Sequence, residues 1–461
     1  MRRIEMKQKK VIRIGGGGGF ADDRIDAAVE LVEKGNIDYL SFDSLSENEL
    51  SQVAMKKLRD ATHPGYDRML EYRMNALLPA ALKNNVKIVS NCGSTNPLAA
   101  ARYLYEKAKE LGYPNVKIAA VTGDNVVEFL KTSEQDFYAV ESGKNVKDFG
   151  DDLIAANVYI PSYSLVEALD NGAQIVVTGR IGDSAVFMAA LRHEFGWAVD
   201  DWDNLAIGIM VGHEMECAGQ LTGGYFADPP YKRVEEAFKL GFPIAEVDED
   251  GNVVFCKIPG TGGMITEDTC KEQALYEVHD PANYYHADVV VDLSNAEFTQ
   301  LGKDRVLMTG IKGKPAPKQL KVALGVKEGY FSTATVWFAG PGARARGEWA
   351  RDMLYARFDH LGLKPEAVKI FLMGVDGVYG EAPGVPKNLE PWEVGLRVAC
   401  RDRDKGVVED IMMETACRMS TNGPASGTCE HATWFVRDVV GYYHVMMDRD
   451  LVKTEVTYLG G

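Results

Sequence analysis

The sequence lacks the features that suit a nucleic-acid binder, a membrane protein or a secreted protein. Its 461 residues include 51 Lys and Arg against 67 Asp and Glu, a net charge of −16. This excess of acid disfavours binding to a phosphate backbone or to anionic lipid surfaces, which both need clustered basic residues. No stretch approaches the roughly 20 apolar residues of a membrane span, and no apolar run follows the basic first ten residues, as a secretory signal requires. We expect no nucleic-acid partner and no membrane association.

Cysteine is also scarce. The seven cysteines are odd in number and scattered, and no two stand in Cys-x-x-Cys spacing. This pattern disfavours a zinc knuckle, a redox pair and an iron–sulfur cluster bound by closely spaced thiolates. Free or buried thiols in a reducing compartment are the simplest interpretation. The sequence therefore predicts a cytoplasmic protein.

What the chain does contain is an alternation of strands and helices. Short apolar runs that favour strands occur at residues 11–14, 38–42, 86–90, 116–121 and 174–177. Helical patterns, such as residues 26–34 and 98–111, stand between them. Strands that alternate with helices predict βαβ units. We therefore expect an α/β fold with an open, mostly parallel sheet and helices on both faces.

The pattern changes after the linker-like sequence at residues 314–317, Lys-Pro-Ala-Pro. Residues 320–326 and 331–338 alternate as a hairpin pair, and a helix at 343–361, strands at 368–373 and 394–400 and a helix near 407–419 follow. Mixed strands and helices of this kind are typical of a small α+β sandwich. We predict an α/β domain over residues 1–317 and a ferredoxin-like domain over residues 318–461.

Each of the five early strands ends in a small or polar loop. In an open parallel sheet these loops emerge at one edge, where ligands bind. Asn91, Asn96 and Thr122 offer neutral hydrogen bonds that suit a carboxylate or a thioester carbonyl. Arg180 has two possible roles, a bidentate clamp on a substrate carboxylate or a structural salt bridge with Asp183. The residue pattern alone leaves both open.

Glycine-rich loops predict close approach of the backbone to a ligand. The first, Gly15 to Gly19, follows a strand, but Phe20 stands where a dinucleotide fingerprint needs its third glycine, and the acids that follow it would repel a pyrophosphate. Two interpretations are open. The loop binds a dinucleotide, or it forms the floor of another pocket in which Gly17 and Gly18 contact the substrate. A second such loop has Thr222 directly before two glycines. It either approaches a ligand in the same way or is a plain turn.

The densest group of reactive side chains is His213, Glu216 and Cys217. On a helix, His213 and Glu216 share a face at positions i and i+3. They suit an acid–base pair, or two ligands of a divalent metal with Asp124 or Asp183 as a third, or a purely structural pair. Cys217 as a nucleophile is the weaker hypothesis, because no base and orienting group accompany it.

The order of the motifs resembles the acyclic terpene utilisation protein AtuA family. The motifs that carry the resemblance are Ile12 to Gly15, Gly18 to Arg24, Asn91 to Pro97, Thr178 to Arg180, His193 to Trp197, Gly212-His213, Cys217 to Phe226 and Pro259 to Gly263. The resemblance covers most of the chain. It also implies a ferredoxin-like C-terminal domain, which in some relatives is a separate small protein.

The resemblance to this family implies a reaction at a carbon next to a carboxylate or a CoA thioester. From the resemblance we expect a hydro-lyase that acts on a small branched hydroxy-(di)carboxylic acid of the mesaconate or citramalate type, or on its CoA thioester. His213, Glu216 and Asp183 are the expected acid–base residues, and a divalent metal remains an option. Two alternatives are a non-catalytic subunit or ligand-binding scaffold of a catabolic assembly, and a dinucleotide-dependent oxidoreductase. A homo-oligomer is expected from size alone.

Overall fold

The computed structural model describes residues 9–380, 382, 388–425, 427–429 and 434–461. Residues 1–8, which make up most of the basic N-terminal segment discussed above, lie outside this range. The strands are β1 (Val11–Gly16), β2 (Tyr39–Phe42), β3 (Lys87–Ser90), β4 (Ile118–Thr122), β5 (Leu153–Val158), β6 (Ile175–Thr178), β7 (Pro243–Asp248), β8 (Val253–Lys257), β9 (Tyr284–Tyr285), β10 (Val290–Asp292), β11 (Glu297–Gly302), β12 (Arg305–Thr309), β13 (Lys312–Lys314), β14 (Gln319–Ala339), β15 (Ala367–Met373), β16 (Glu393–Asp402), β17 (Thr428–Cys429), β18 (Arg437–Asp448) and β19 (Glu455–Leu459).

Helices separate many of these strands. They are α1 (Asp26–Lys34), α2 (Glu47–Arg59), α3 (Leu70–Asn84), α4 (Pro97–Glu110), α5 (Val127–Thr132), α6 (Tyr163–Asp170), α7 (Ala185–Phe195), α8 (Trp202–Glu216), α9 (Glu267–Leu275), α10 (Ala343–His360), α11 (Lys405–Met412) and α12 (Met419–Asn422). None of the described helices combines the length and the hydropathy that a membrane span requires.

The chain forms two compact units, Met1–Gly325 with Tyr442–Gly461, and Val326–Gly441. The boundaries differ from the predicted division after residue 317, because the last strand, β19, pairs with β4 of the first unit rather than with the second sheet. In the second unit, β14, β15 and β16 form an antiparallel sheet in the order β15-β16-β14. Side chains of α10 and α11 share a hydrophobic core with this sheet, which includes Leu354, Leu396 and Ile411.

A ten-stranded sheet organises the first unit and confirms the α/β class. Its order is β11-β12-β8-β7-β1-β2-β3-β6-β4-β19. The five strands from β1 to β4 in this order are parallel, and they are the five predicted from the sequence. Antiparallel strands, which the sequence did not reveal, extend the sheet on both sides.

Both faces of the parallel strands are covered. Leu40, Ile88 and Val177 point into a core shared with α1, α3 and α4. On the other face, the hydroxyl of Ser41 donates a hydrogen bond to the backbone carbonyl of Val186 in α7 at 3.0 Å. Burial on both faces explains why these strands read as nearly continuous apolar runs.

The hairpin predicted around residues 327–330 is wrong. Instead β14 runs unbroken through this segment, and Tyr330–Ala339 pair antiparallel with β16. Gly329 has a φ of 101°, the left-handed conformation that made a turn plausible. The two halves of the strand do not fold back on each other: β14 pairs with β5, β16, β17 and β18.

Candidate functional site

A cavity of about 560 Å³ lies at the carboxyl edge of the parallel strands. We call it the rim cavity. Loops that follow β1, β2 and β6 line it, together with the end of α8 and the start of β14. The lining residues are 19–22, 43–49, 216–217 and 276–277, with Arg68, Tyr159, Arg180, Asp183 and Lys321. The sequence predicts polar groups at this edge, and three of the predicted site residues, Arg180, Asp183 and Glu216, line the cavity.

Arg180 is almost completely buried in the wall of this cavity, with 1% of its surface exposed. Its Nη2 donates to the Asp183 carboxylate, Nη1 donates to the backbone carbonyl of Leu45, and the guanidinium lies 4.5 Å from the ring centre of Tyr159. Burial, the largest single effect, opposes its charge, but the neighbouring acidic groups, Asp183 first among them, together outweigh burial and raise the pKa of Arg180. The salt bridge therefore forms, and a permanent positive charge lines the cavity.

Asp43, directly after β2, is the second carboxyl near this guanidinium. Its Oδ2 lies 3.9 Å from Arg180 Nη2, while its Oδ1 accepts hydrogen bonds from the Asn91 side chain and from the backbone N–H of Leu45. Burial, together with the negative charge of Asp183, raises the pKa of Asp43 to about 8. Asp43 is therefore mainly protonated at neutral pH and faces the cavity as an acid.

Glu216 and His213 form the predicted pair at the end of α8. His213 Nδ1 lies 3.3 Å from Glu216 Oε1, and the Ser184 hydroxyl donates to Glu216 Oε2 at 3.4 Å. Burial raises the pKa of Glu216, and the hydrogen bond with His213 offsets part of that rise. Glu216 lines the cavity, whereas His213 is fully buried behind it with its Nδ1 also 3.5 Å from the Tyr284 hydroxyl. This geometry suits proton exchange between the two side chains.

A third group of side chains surrounds Tyr159, which follows β5. Its hydroxyl donates to Glu47, and Lys321 Nζ lies 3.3 Å from the same carboxylate and 4.1 Å from the Tyr159 ring centre. Burial would raise the pKa of Glu47, but His444 and the Tyr159 hydroxyl, together with the positive charges of Lys321 and Arg180, outweigh burial and hold that pKa well below its usual range. Glu47 is therefore a carboxylate whose charge Lys321 balances.

Cys217 also lines the cavity, but its thiol is not poised to react. Burial, followed by the charge of Glu216, raises the pKa of Cys217. A nucleophilic cysteine needs the opposite shift, because the thiolate is the reactive form.

The polar strand ends do not all reach the cavity. Asn91 lies behind its wall, where its Oδ1 accepts from Ser44 N at 2.8 Å. Asn96 caps α4 and accepts from Ala99 N, and Thr122 points to the β19 edge, where its hydroxyl donates to Glu455 O at 3.5 Å. Asn91 thus supports Asp43, whereas Asn96 and Thr122 serve local structure.

Asp124 and Thr222 are buried elsewhere. Asp124 Oδ2 accepts from the backbone N–H of Arg180 at 2.8 Å and from Asn157 Nδ2 at 2.6 Å. Thr222 donates from its hydroxyl to the carbonyl of Gly219 at 3.1 Å. Among the residues that the structure describes, no group of three or more His, Cys, Asp or Glu is arranged to hold a metal ion.

The first glycine loop approaches the end of α8 closely. A Cβ on Gly19 would stand 2.8 Å from the Cα of Cys217. Gly17 packs on Leu40, Gly18 has a φ of 145°, and the Asp23 carboxylate accepts from the N–H of Gly19 at 2.9 Å. Gly19 lines the cavity, whereas Gly17 and Gly18 are not among its lining residues. An acidic side chain thus uses the amide that a dinucleotide phosphate would need.

Several residues of the rim cavity carry no role predicted from the sequence. These are Asp43, Glu47, Tyr159, Glu277 and Lys321. Asp43 follows a predicted strand, and that position was the one available signal. Tyr159 follows β5, which the sequence analysis did not identify, and Lys321 reaches the cavity because the N–H of Tyr159 donates to its carbonyl at 2.9 Å.

The fold and the cavity define an α/β protein with a cavity lined by acidic and basic side chains at the carboxyl edge of a parallel sheet. The profile described as "Acyclic terpene utilisation family protein AtuA" matches residues 12–458. The chain therefore belongs to the AtuA family, whose name indicates a catabolic role. No curated protein and no solved structure shows significant similarity to the chain.

Proposed function

We propose that the protein is a hydro-lyase that acts on a small branched hydroxy-(di)carboxylic acid of the mesaconate or citramalate type, or on its CoA thioester. The addition or removal of water next to a carbonyl needs a base at the α-carbon and an acid at the departing hydroxyl. The observation that carries the proposal is that the rim cavity offers both: the Glu216–His213 pair and the protonated carboxyl of Asp43.

In the direction of dehydration, the Glu216 carboxylate takes a proton from the α-carbon of the substrate. A raised pKa makes Glu216 a stronger base than an exposed glutamate, and His213 at 3.3 Å accepts or returns the proton. Asp43 gives its proton to the departing hydroxyl, which leaves as water while the carbon–carbon double bond forms. In the direction of hydration the roles are reversed: Asp43 accepts a proton from the attacking water, and Glu216 returns its proton to the α-carbon.

Arg180 supplies the positive charge that this reaction needs. Removal of the α-proton moves negative charge onto the carbonyl oxygen, and a fixed cation in a buried site stabilises that charge more than water does. Arg180 stays protonated and is held by Asp183 and Leu45, so it needs no reorientation during the reaction. Its role is therefore to bind the carbonyl end of the substrate.

The charges of the cavity support the thioester more than the free dicarboxylic acid. Seven carboxyl groups line the cavity, against three cationic side chains. The carboxyl residues are Asp22, Asp43, Glu47, Glu49, Asp183, Glu216 and Glu277, and the cationic residues are Arg68, Arg180 and Lys321. A substrate with two carboxylates meets more repulsion here than a thioester, whose carbonyl is neutral.

The test is an NMR assay of the purified protein in deuterated water. The panel contains mesaconate, citramalate and branched 3-hydroxyacyl-CoA esters, each with and without divalent cations. Interconversion of alkene and alcohol, or deuterium at the α-carbon, is the expected result. No reaction by the folded protein with any compound would overturn the proposal in favour of a non-catalytic subunit.

Variants assign the roles. Glu216→Gln and His213→Asn each remove a group of the proton-transfer pair, so we expect turnover to fall about 10²–10⁴-fold. Glu33→Gln, on the exposed side of α1, is the matched control and should keep full turnover. A loss of less than about tenfold in both active-site variants would remove the pair from the mechanism.

A further inference from the structure

One wall of the rim cavity is attached to a strand from the end of the chain. We call this wall, residues 43–49, the lip; it includes the first turn of α2. Two side chains of β18 contact it. The Tyr442 hydroxyl donates to Asn48 Oδ1 at 2.8 Å, and His444 Nε2 lies 3.7 Å from Glu47 Oε1. The second of these attachments depends on a side chain that titrates near neutral pH.

His444 stands between two carboxylates from different parts of the chain. Its Nδ1 lies 2.5 Å from Glu141 Oε1, and its backbone N–H donates to Glu141 Oε2 at 2.9 Å. Its carbonyl accepts a hydrogen bond from the N–H of Val140 at 2.8 Å. These contacts fix the backbone of His444 and the Nδ1 side of its ring. The other ring nitrogen, Nε2, is the one beside Glu47.

The contact with Glu141 decides which nitrogen of His444 loses its proton. A carboxylate next to Nδ1 keeps a proton on that nitrogen in both charge states of the ring, so Nε2 is the nitrogen that titrates. In the charged ring, Nε2 carries an N–H beside the Glu47 carboxylate, and the two charges attract each other. In the neutral ring, a lone pair takes the place of that N–H and the attraction is lost.

The other groups around this contact keep their charge when His444 changes its own. Lys321 Nζ lies 3.3 Å from Glu47 Oε1, and the Tyr159 hydroxyl donates to the same oxygen. Lysine and tyrosine side chains ordinarily titrate near pH 10, well above histidine. Burial and Lys321 oppose the protonation of His444, but Glu47 first, and then Glu141, outweigh them and raise its pKa above the ordinary 6.5. The Glu47 carboxylate stays ionised, because its own pKa is held well below its usual range.

We propose that His444 is a pH-sensitive latch: its protonated ring fastens the lip of the rim cavity to β18 through Glu47, and loss of the proton loosens the lip. The lip carries Asp43, so the latch acts on the segment that places the proposed acid in the cavity. The stabilisation is complete below pH 6.5 and is lost as the pH rises through the raised pKa of His444. The latch is a property of the cavity itself and goes beyond the proposed hydro-lyase function, on which it does not depend.

Hydrogen exchange of the lip tests the latch in the full-length protein between pH 5.5 and pH 9. The reporters are the backbone amides of Glu49 and Leu50, which donate to the side chain and the carbonyl of Ser46. The measured quantity is the exchange rate in a variant divided by that in the wild type, which cancels the intrinsic pH dependence of exchange. In His444→Gln, which has no charge, this ratio should be about tenfold at pH 5.5 for each unit by which the pKa of His444 is raised. It should approach one at pH 9.

Two further variants and a second measurement complete the test. His444→Lys stays charged throughout this range, so its ratio should be near one at pH 5.5 and fall below one at pH 9. His279→Gln, at an exposed position, is the matched control and should give a ratio of one at every pH. With histidine labelled by ¹³C at Cε1, the signal that both His444 variants lack should titrate above pH 6.5.

A ratio for His444→Gln that stays constant from pH 5.5 to pH 9 would overturn the latch, because a purely structural side chain does not titrate. A His444 signal that titrates below pH 6.5 would overturn it as well. Neither measurement uses a substrate, so the latch and the hydro-lyase can fail independently of each other.

Discussion

Replacement of Asp43 by Asn should make the protein more stable near neutral pH and less active. An amide has nearly the shape of a protonated carboxyl group. Its oxygen can accept the hydrogen bonds that Asp43 now accepts from Asn91 and from the N–H of Leu45. The amide has no proton to give to a departing hydroxyl, so turnover should fall about 10²–10⁴-fold.

The gain in stability follows from the pKa. Burial and the charge of Asp183 raise the pKa of Asp43 from 3.8 to about 8, so the folded state keeps a proton that the unfolded state releases. The stability associated with this group is complete below pH 3.8 and is lost as the pH rises through about 8. At pH 7, about three pH units above the unfolded value, the cost is about 4 kcal/mol. Asp43→Asn avoids this cost.

Urea unfolding between pH 4 and pH 9 measures the effect. The difference between variant and wild type should be small at pH 4, grow to about 4 kcal/mol at pH 7 and level off above pH 8. Asp183→Asn is the contrasting variant: it removes the carboxylate bonded to Arg180, so it should destabilise the protein and lower the pKa of Asp43. A stability difference for Asp43→Asn that stays constant from pH 5 to pH 8 would show that Asp43 is ionised in the folded protein, contrary to our reasoning.

Two further substitutions test the walls around the site. Gly19→Ala places a Cβ 2.8 Å from the Cα of Cys217 and should lower the free energy of unfolding by about 1–3 kcal/mol. Gly302→Ala, whose Cβ would have nothing within 4 Å, is the control and should be neutral. Equal melting temperatures of the two variants would contradict the close approach. Asp124→Ala removes the acceptor for the buried backbone N–H of Arg180 and should cost about 1–3 kcal/mol. An unchanged melting temperature of that variant would mean that Asp124 does not hold the Arg180 loop.

The sequence predicts the parallel strands well and the rest of the fold less well. Runs such as residues 174–177 are apolar throughout because both faces of the sheet are covered, and this signal is local. The antiparallel strands β7, β8, β11 and β12 were not identified. They form two local pairs, β7 with β8 and β11 with β12, but the pairings that place them in the sheet, β7 with β1 and β8 with β12, join distant parts of the chain. The predicted hairpin is wrong because β14 pairs with strands elsewhere in the chain, among them β5 and, from Tyr330 onwards, β16.

The candidate site, like the fold, was predicted from the sequence only in part. The spacing of His213 and Glu216 predicts one helix face, and α8 brings them to 3.3 Å. Arg180 and Asp183 were predicted near each other because they share one loop. Asp43 was not identified as an acid, because its pKa depends on burial and on a charge 140 residues away in the sequence, as the numbers 43 and 183 show. Contacts between residues close in sequence can be predicted from the sequence, whereas the pKa of a buried group can be predicted only once the fold is known.

The pairing of β19 with β4 has a consequence for the order of events during synthesis. Thr122 at the end of β4 pairs with Glu455, so the outer edge of β4 has no neighbour until the ribosome has made more than 300 further residues. At about 5–20 residues per second, this takes roughly 20–60 s. During that time the apolar strand β4 exposes unpaired backbone N–H and C=O groups along one edge, and such an edge can pair with strands of other chains. The nascent protein therefore depends on its last strand, or on a chaperone, to protect a sheet whose parallel core has long been translated.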